Sequence, residues 1–213
     1  MYFWSALLFV VVAGFTFLWV YARRQSRRYN ERLVRQFEAL KKQFEKAELQ
    51  LRTQSNEVYP LLKTGMEGRA LLIERTLRDK FNFFVINLHT GNPQGVHVQL
   101  IPETHYHGLK EKEKESFSLL PDAGWAYVGH ASLAQTIAKD YLNPLMQQYP
   151  TLRDLFSTLV IYQQAITLVL FSSTKPIAYD KVLMIGSRLC LQLARLIEAN
   201  DAQNESKETH GQA

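Results

Sequence analysis

The chain has 213 residues, with 25 Lys and Arg against 20 Asp and Glu, a formal net charge of +5. Hydrophobic residues make up 46% and aromatics 12%, which excludes general disorder and suits one domain of about 150 residues with an attachment. The single cysteine, Cys190, excludes a disulfide framework and a cysteine-rich zinc site.

Charge is unevenly placed. Residues 1–58 carry ten basic and five acidic side chains, whereas 59–213 carry fifteen of each. A basic excess confined to the N-terminal part argues against a broadly basic nucleic-acid-binding domain, so no nucleic-acid partner is expected. Residues 1–22 contain no charged side chain. As a helix they extend about 33 Å, enough to cross the hydrocarbon core of a bilayer. Tyr2, Phe3 and Trp4 at one end, and Trp19 and Tyr21 at the other, suit interfacial aromatic belts. Arg23, Arg24, Arg27 and Arg28 follow as a membrane-proximal basic cluster. Positive charge on one side predicts a single-pass protein of a bacterial inner membrane, with its N-terminus outside and the remainder cytoplasmic. A cleaved signal peptide would instead need its basic residues ahead of a shorter apolar stretch.

Apolar residues then recur at Leu33, Phe37, Leu40, Phe44, Ala47, Leu51, Val58 and Leu61. The steps of four and three, with one polar interruption at Gln54, read as a heptad seam, and residues 23–62 as a coiled-coil helix pairing two copies in a parallel homodimer. Glu31–Arg35, Glu38–Lys42 and Glu48–Arg52 are i,i+4 pairs in the favourable order. The competing arrangement is one amphipathic helix folded back on its own domain.

Residues 63–200 form the expected domain. Met66, Ala70, Ile73, Leu77 and Phe81 follow helical spacing, which predicts a helix over 65–80. The apolar run 81–89 and the alternation at Val96, Val98 and Leu100 predict two strands, joined across turn-forming residues 90–95 into a hairpin. Residues 102–122 are polar and read as a solvated loop. A short strand is expected at 124–129, a helix at 131–142, and a turn at Asn143-Pro144. Strands at 159–162 and 166–171 flank a tight Gln163-Gln164 connection, and an amphipathic helix closes the domain over 178–199. Residues 201–213 read as a disordered polar tail. The order predicts an α+β domain with an antiparallel sheet and flanking helices.

The stretch AITLVLFSSTKPIAYDKVLMIGSRLCLQLARLIEAN (165–200) resembles the last strand, the proline-containing loop and the closing helix of GAF domains, and 66–101 is similar to their opening helix and first hairpin. The resemblance implies a central antiparallel sheet with the first and last helices paired on one face, a surface that commonly dimerises. The Asn-Lys-Phe-Asp-Glu-like signature of cyclic-nucleotide-regulated members is missing, and Cys190 lies in the closing helix, away from a chromophore position. No ligand class therefore carries over. A PAS-like domain shares the same coarse order of elements.

His105-Tyr106-His107 would place two imidazoles on one face of an extended segment, with His97, Glu103 or His89 as a further ligand. Surface histidines are the commoner reading, and no metal or cofactor is expected. His130 and Ser132 read as a helix cap, and Cys190 as a small buried hydrophobe. No nucleophile, base and orienting group can be nominated together, so no catalytic residue is assigned. The aromatic middle, around Trp125, Tyr127, His130 and Phe156, supplies the candidate lining of a ligand pocket. The expected function is a non-enzymatic, membrane-tethered adaptor or scaffold that docks protein partners within a membrane assembly. The second reading is a small-molecule sensor signalling to a partner in trans.

Overall fold

The computed structural model describes residues 2–54, 57–92, 95–173 and 175–210, with side chains described from residue 11 to residue 199. Among these, nine strands form one sheet: β1 (Glu48–Gln54), β2 (Glu57–Met66), β3 (Arg69–Arg78), β4 (Phe81–His89), β5 (Val98–Pro102), β6 (Ser118–Leu120), β7 (Trp125–Gly129), β8 (Phe156–Tyr162) and β9 (Ala165–Phe171). The strand order is β1-β2-β3-β4-β9-β8-β5-β7-β6, and every neighbouring pair is antiparallel. Seven helices accompany it: α1 (Tyr2–Lys41), α2 (Glu103–His107), α3 (Glu111–Lys114), α4 (Ala131–Thr136), α5 (Asn143–Gln148), α6 (Pro150–Leu155) and α7 (Tyr179–His210). The chain is thus α+β, as the pattern predicts, with a sheet larger than expected.

Alternation along the strands decides which face is buried. Ile73, Ile86, Leu168, Leu159 and Leu100 are cross-strand neighbours in one row, all fully buried. Beneath them run Phe84 and Leu170, paired across β4 and β9. The C-terminal part of α1 and the first half of α7 close over this face, joining one continuous core. Phe37 of α1 stacks on Phe84 at 6.1 Å between centroids, and Phe84 meets Tyr179 of α7 at 4.4 Å. The Tyr179 hydroxyl donates to the Ser173 carbonyl at 2.9 Å and accepts the Ser173 N–H at 2.7 Å. Burial pushes its phenol up to about 12. At Gly186, α7 approaches the sheet so closely that a Cβ would stand 2.6 Å from Ile86 Cδ1 and 2.9 Å from Leu168 Cδ2.

This packing corrects the coiled coil. Leu33, Phe37 and Leu40 are buried against the chain's own sheet, so their face is already occupied. The helix ends at Lys41; Phe44 lies beyond it, packed on the same core, and Leu51 sits 47% exposed on edge strand β1. Residues 48–54 and 57–62 are therefore in strands, and the amphipathic helix folded back on its own domain is the arrangement adopted. The predicted helix over 65–80 is also strand. Leu71, Ile73 and Arg75 are buried in strict period-2 alternation, a pattern that overlaps the helical spacing of Met66, Ala70, Ile73, Leu77 and Phe81. Two hairpin turns settle the choice, Glu67-Gly68 and Asp79-Lys80, each with both central residues at positive φ, as type I′ turns require.

Four smaller expectations change. The strands β4 and β5 do not form a hairpin, because β9 and β8 lie between them. The 102–122 segment contains α2, α3 and β6 rather than a bare loop. Asn143-Pro144 does not stop the helical run, because a π-helical turn (Ile137–Leu142) leads into α5 and the proline takes an opening position, where no backbone donor is needed. The backbone past 200 continues as helix to His210, where a disordered tail was expected.

The membrane anchor is corrected too. Among the described residues, no helix is long and apolar enough to cross a membrane. Of the apolar run only 11–22 has described side chains, and Arg23, Arg24, Arg27 and Arg28 follow it directly; Tyr2, Phe3 and Trp4 lie outside the described side chains. The expected single-pass arrangement, with an outward N-terminus and a cytoplasmic domain, is overturned on this finding. Arg27 pairs with Glu31 at 3.0 Å, and Arg23 lies 5.2 Å over the Trp19 ring. Both are exposed contacts within α1.

Two outcomes follow from the packing. Gly186→Val should lower stability by about 1–3 kcal/mol through overpacking, read as a lower urea midpoint, while Arg188→Ala on the exposed side of α7 should leave it unchanged. The second concerns Glu198 of α7, which binds Arg69 of β3 and accepts the Thr90 hydroxyl at 3.0 Å. The Arg69 hydrogen bond, above all, holds its carboxyl below the usual range. A folded pKa below the unfolded one means that this contribution is complete near neutrality and is lost as pH falls through the folded value. The stability gap between wild type and Glu198→Gln should therefore be widest above about pH 5 and close on acidification, measured by denaturation across that range.

Candidate functional site

The sheet's β5–β7 half ends in a cleft of about 600 Å³. Its floor is built from Trp125 at the start of β7, Phe156 at the start of β8, Pro102 at the end of β5, and Met146 of α5. Pro102 and Trp125 are direct cross-strand partners, and the Trp125 and Phe156 rings meet edge to face at 5.1 Å. A shift in register between Phe156 and Thr158 sets Phe156 at this end of β8.

A buried indole needs an acceptor for its N–H. Here Trp125 Nε1 donates to Asn143 Oδ1 at 2.7 Å, and Asn143 Nδ2 donates to the Ala123 carbonyl at 3.3 Å. The π-helical turn just before Asn143 shifts the helical register at this position, and such turns recur at functional sites. The amide thereby locks the orientation of the floor's largest ring.

Polar groups occupy the mouth. On α2, His107 Nε2 faces Glu103 Oε1 at 3.4 Å, and on α6, Arg153 Nε lies 3.4 Å from Asp154 Oδ1. Both pairs are largely solvent-exposed. His105 also lines the cleft, with Nδ1 3.4 Å from the Ser157 carbonyl and its ring edge-on to Phe171. Because this segment is a helix and not an extended strand, His105 and His107 do not share a face in the way predicted. Among the described residues, no group of three His, Cys, Asp or Glu side chains gathers as a metal site.

Of the four residues expected to line a pocket, the structure brings Trp125 and Phe156 together and leaves out Tyr127 and His130. Tyr127 falls two residues along β7, half-buried against the sheet core. His130 is exposed at the start of α4, where neither it nor Ser132 makes a side-chain cap. Its backbone is held instead, with the N–H donating to the His97 carbonyl at 3.1 Å. Gly129 before it has φ +97°, and a Cβ there would fall 2.0 Å from the same carbonyl oxygen. Pro102, Met146 and Asn143 escaped the sequence reading. Asn143 carried a signal, a polar residue near a buried tryptophan in need of an acceptor, but its neighbour Pro144 reads as a turn. Cys190 is buried in α7, and desolvation pushes its thiol up to about 12, which keeps it a protonated, packed side chain.

The arrangement presents an apolar, aromatic floor inside a polar rim. Asn143→Leu should leave the buried Trp125 N–H without an acceptor. A stability loss of about 1–3 kcal/mol is expected, measured by chemical denaturation.

No protein-family model matches the chain, and no curated protein matches it either. Among solved structures it is similar to the crystal structure of the mycobacterial trehalose monomycolate transport factor A, TtfA, at 18% identity and a TM-score of 0.46, over 66% of this chain and 72% of that one.

Proposed function

We propose that the chain is a non-enzymatic adaptor whose α+β domain docks a protein partner at the Trp125 cleft. The observation that carries this reading is the anatomy of the cleft: an apolar floor of Trp125, Phe156, Pro102 and Met146 inside a rim of exposed polar and charged side chains. Protein interfaces concentrate their affinity in such desolvated aromatic pockets, with a polar border that excludes wrong partners. A floor held rigid by the Trp125–Asn143 bond favours insertion of one partner side chain at little reorganisation cost.

A second reading, a small-molecule sensor acting on a partner in trans, draws support from the volume. About 600 Å³ falls within the range of ligand pockets, roughly 300–1,000 Å³. The cleft is open on one side, however, whereas such sites enclose most of their ligand's surface. That favours docking.

The test is purification of the tagged full-length chain from its native cells under gentle conditions, with mass spectrometry of what co-elutes. His107→Glu with Arg153→Glu places a negative charge at two exposed rim positions without touching the floor. The adaptor reading expects a stoichiometric protein with the wild type and its loss with the double variant, at unchanged melting temperature. Recovery of the same protein by both would place docking elsewhere. A bare chain, together with a metabolite that raises the melting temperature through binding linkage, would favour the sensor.

A further inference from the structure

A second cavity, of about 560 Å³, lies in the other half of the sheet, where α1 passes the β3–β4 turn. Its walls carry four cationic side chains, Arg28 and Arg32 from α1, Arg75 from β3 and Lys80 from the turn, against one carboxylate, Glu57. We propose that this cavity binds a phosphate-type oxyanion, gripped by Arg28, Arg32 and Lys80 in front of the buried Arg75.

Glu57 is already committed. Its Oε2 accepts from Arg75 Nη2 at 2.7 Å and from Asn82 Nδ2 at 3.2 Å. Arg75 also donates to the Val58 carbonyl at 2.7 Å and lies 5.3 Å and 5.0 Å over the Tyr29 and Tyr59 rings. Its side chain is only 3% exposed, and its Nε has no acceptor, so the positive charge at the inner wall is incompletely answered. Burying a cation this deeply is costly unless it is paired, and one shared carboxylate is its whole charge compensation among the described residues.

The three outer cations are less compensated still. Among the described residues, Arg28, Arg32 and Lys80 make no ion pair, although Arg27 and Glu31 nearby pair with each other. Asp79, in the same turn as Lys80, stays outside the cavity wall. Like charges on one concave wall repel, and an anion with several oxygens relieves that repulsion at all three positions. Guanidinium groups suit this task because their forked donors match phosphate oxygens two at a time. Hydroxyls of Ser172 and Ser173 add donors on the opposite wall, the former also bonded to the Tyr29 hydroxyl at 2.8 Å.

Phosphate esters reach such a site either as free solutes or as lipid headgroups. Phe81, at the cavity mouth, and Leu77, on the same hairpin, are 64% and 45% exposed, so an apolar surface adjoins the cationic one. Two probes separate the sources with the full-length chain at low salt: glycerol 3-phosphate by calorimetry, and phosphatidylglycerol against phosphatidylcholine vesicles by flotation. Each probe is compared between wild type and Arg32→Gln with Lys80→Gln, both exposed positions whose replacement should leave the melting temperature unchanged.

Saturable binding of glycerol 3-phosphate, weakened about tenfold or more by the double variant, supports the site with a soluble ester as ligand. A preference for phosphatidylglycerol that the double variant loses, without binding of the free ester, supports it with a headgroup as ligand. Absence of both signals overturns the proposal, and so does equal binding by wild type and variant.

Discussion

The contact that joins Phe37, Phe84 and Tyr179 governs the rest of the structure, because it ties the first helix, a central strand and the last helix into one core. Each aromatic ring removed from water contributes on the order of 1.5–3 kcal/mol. The three together fix how α1 and α7 lie on the sheet. With α1 held there, Leu33 and Leu40 fall inside the core, and the helix face with a heptad pattern has no free surface left for a second copy. The tyrosine adds direction: its hydroxyl holds the Ser173 backbone just after β9, so that α7 starts where the sheet ends.

From this arrangement the two halves of the sheet acquire different characters. The β5–β7 half is capped by short helices, whose π-helical turn and opening proline bring an asparagine onto a buried tryptophan. The result is a rigid apolar floor with polar edges. The β2–β4 half is crossed by α1, which carries its arginines past a hairpin turn and a buried arginine. The result there is a cationic concavity. The aromatic cleft and the cationic cavity thus lie on opposite halves of one sheet.

Legibility in the sequence followed the strength of local pattern. The run FNFFVINLH, the strand at 125–129 and the two strands around Gln163-Gln164 combine branched and aromatic residues with clear turn signals, and all are strands. The closing helix was legible for the same reason. Residues 44–80 were not, because their apolar spacing satisfies a helical and a strand template together. Turns at Glu67-Gly68 and Asp79-Lys80 were the deciding chemistry; the first keeps only the glycine of the usual Asn-Gly pair, and the second has neither residue of it. At the cleft, Trp125 and Phe156 were legible as aromatic residues in a segment of mixed polarity. Tyr127 stands outside this cleft because a strand sends residues two apart to the same face but not to the same end of it.

By itself, then, the sequence determined composition, charge placement, the α+β class and the strands whose propensity and turns agree. These are local properties, set by side-chain shape and backbone freedom within a few residues. Only the tertiary structure decided that the seam of α1 faces its own sheet, that β9 and β8 part β4 from β5, and which aromatic residues meet. Those outcomes depend on which apolar surface finds which partner across long separations in the chain. A periodic pattern states that a face will be buried, and the competition among all the faces selects what buries it.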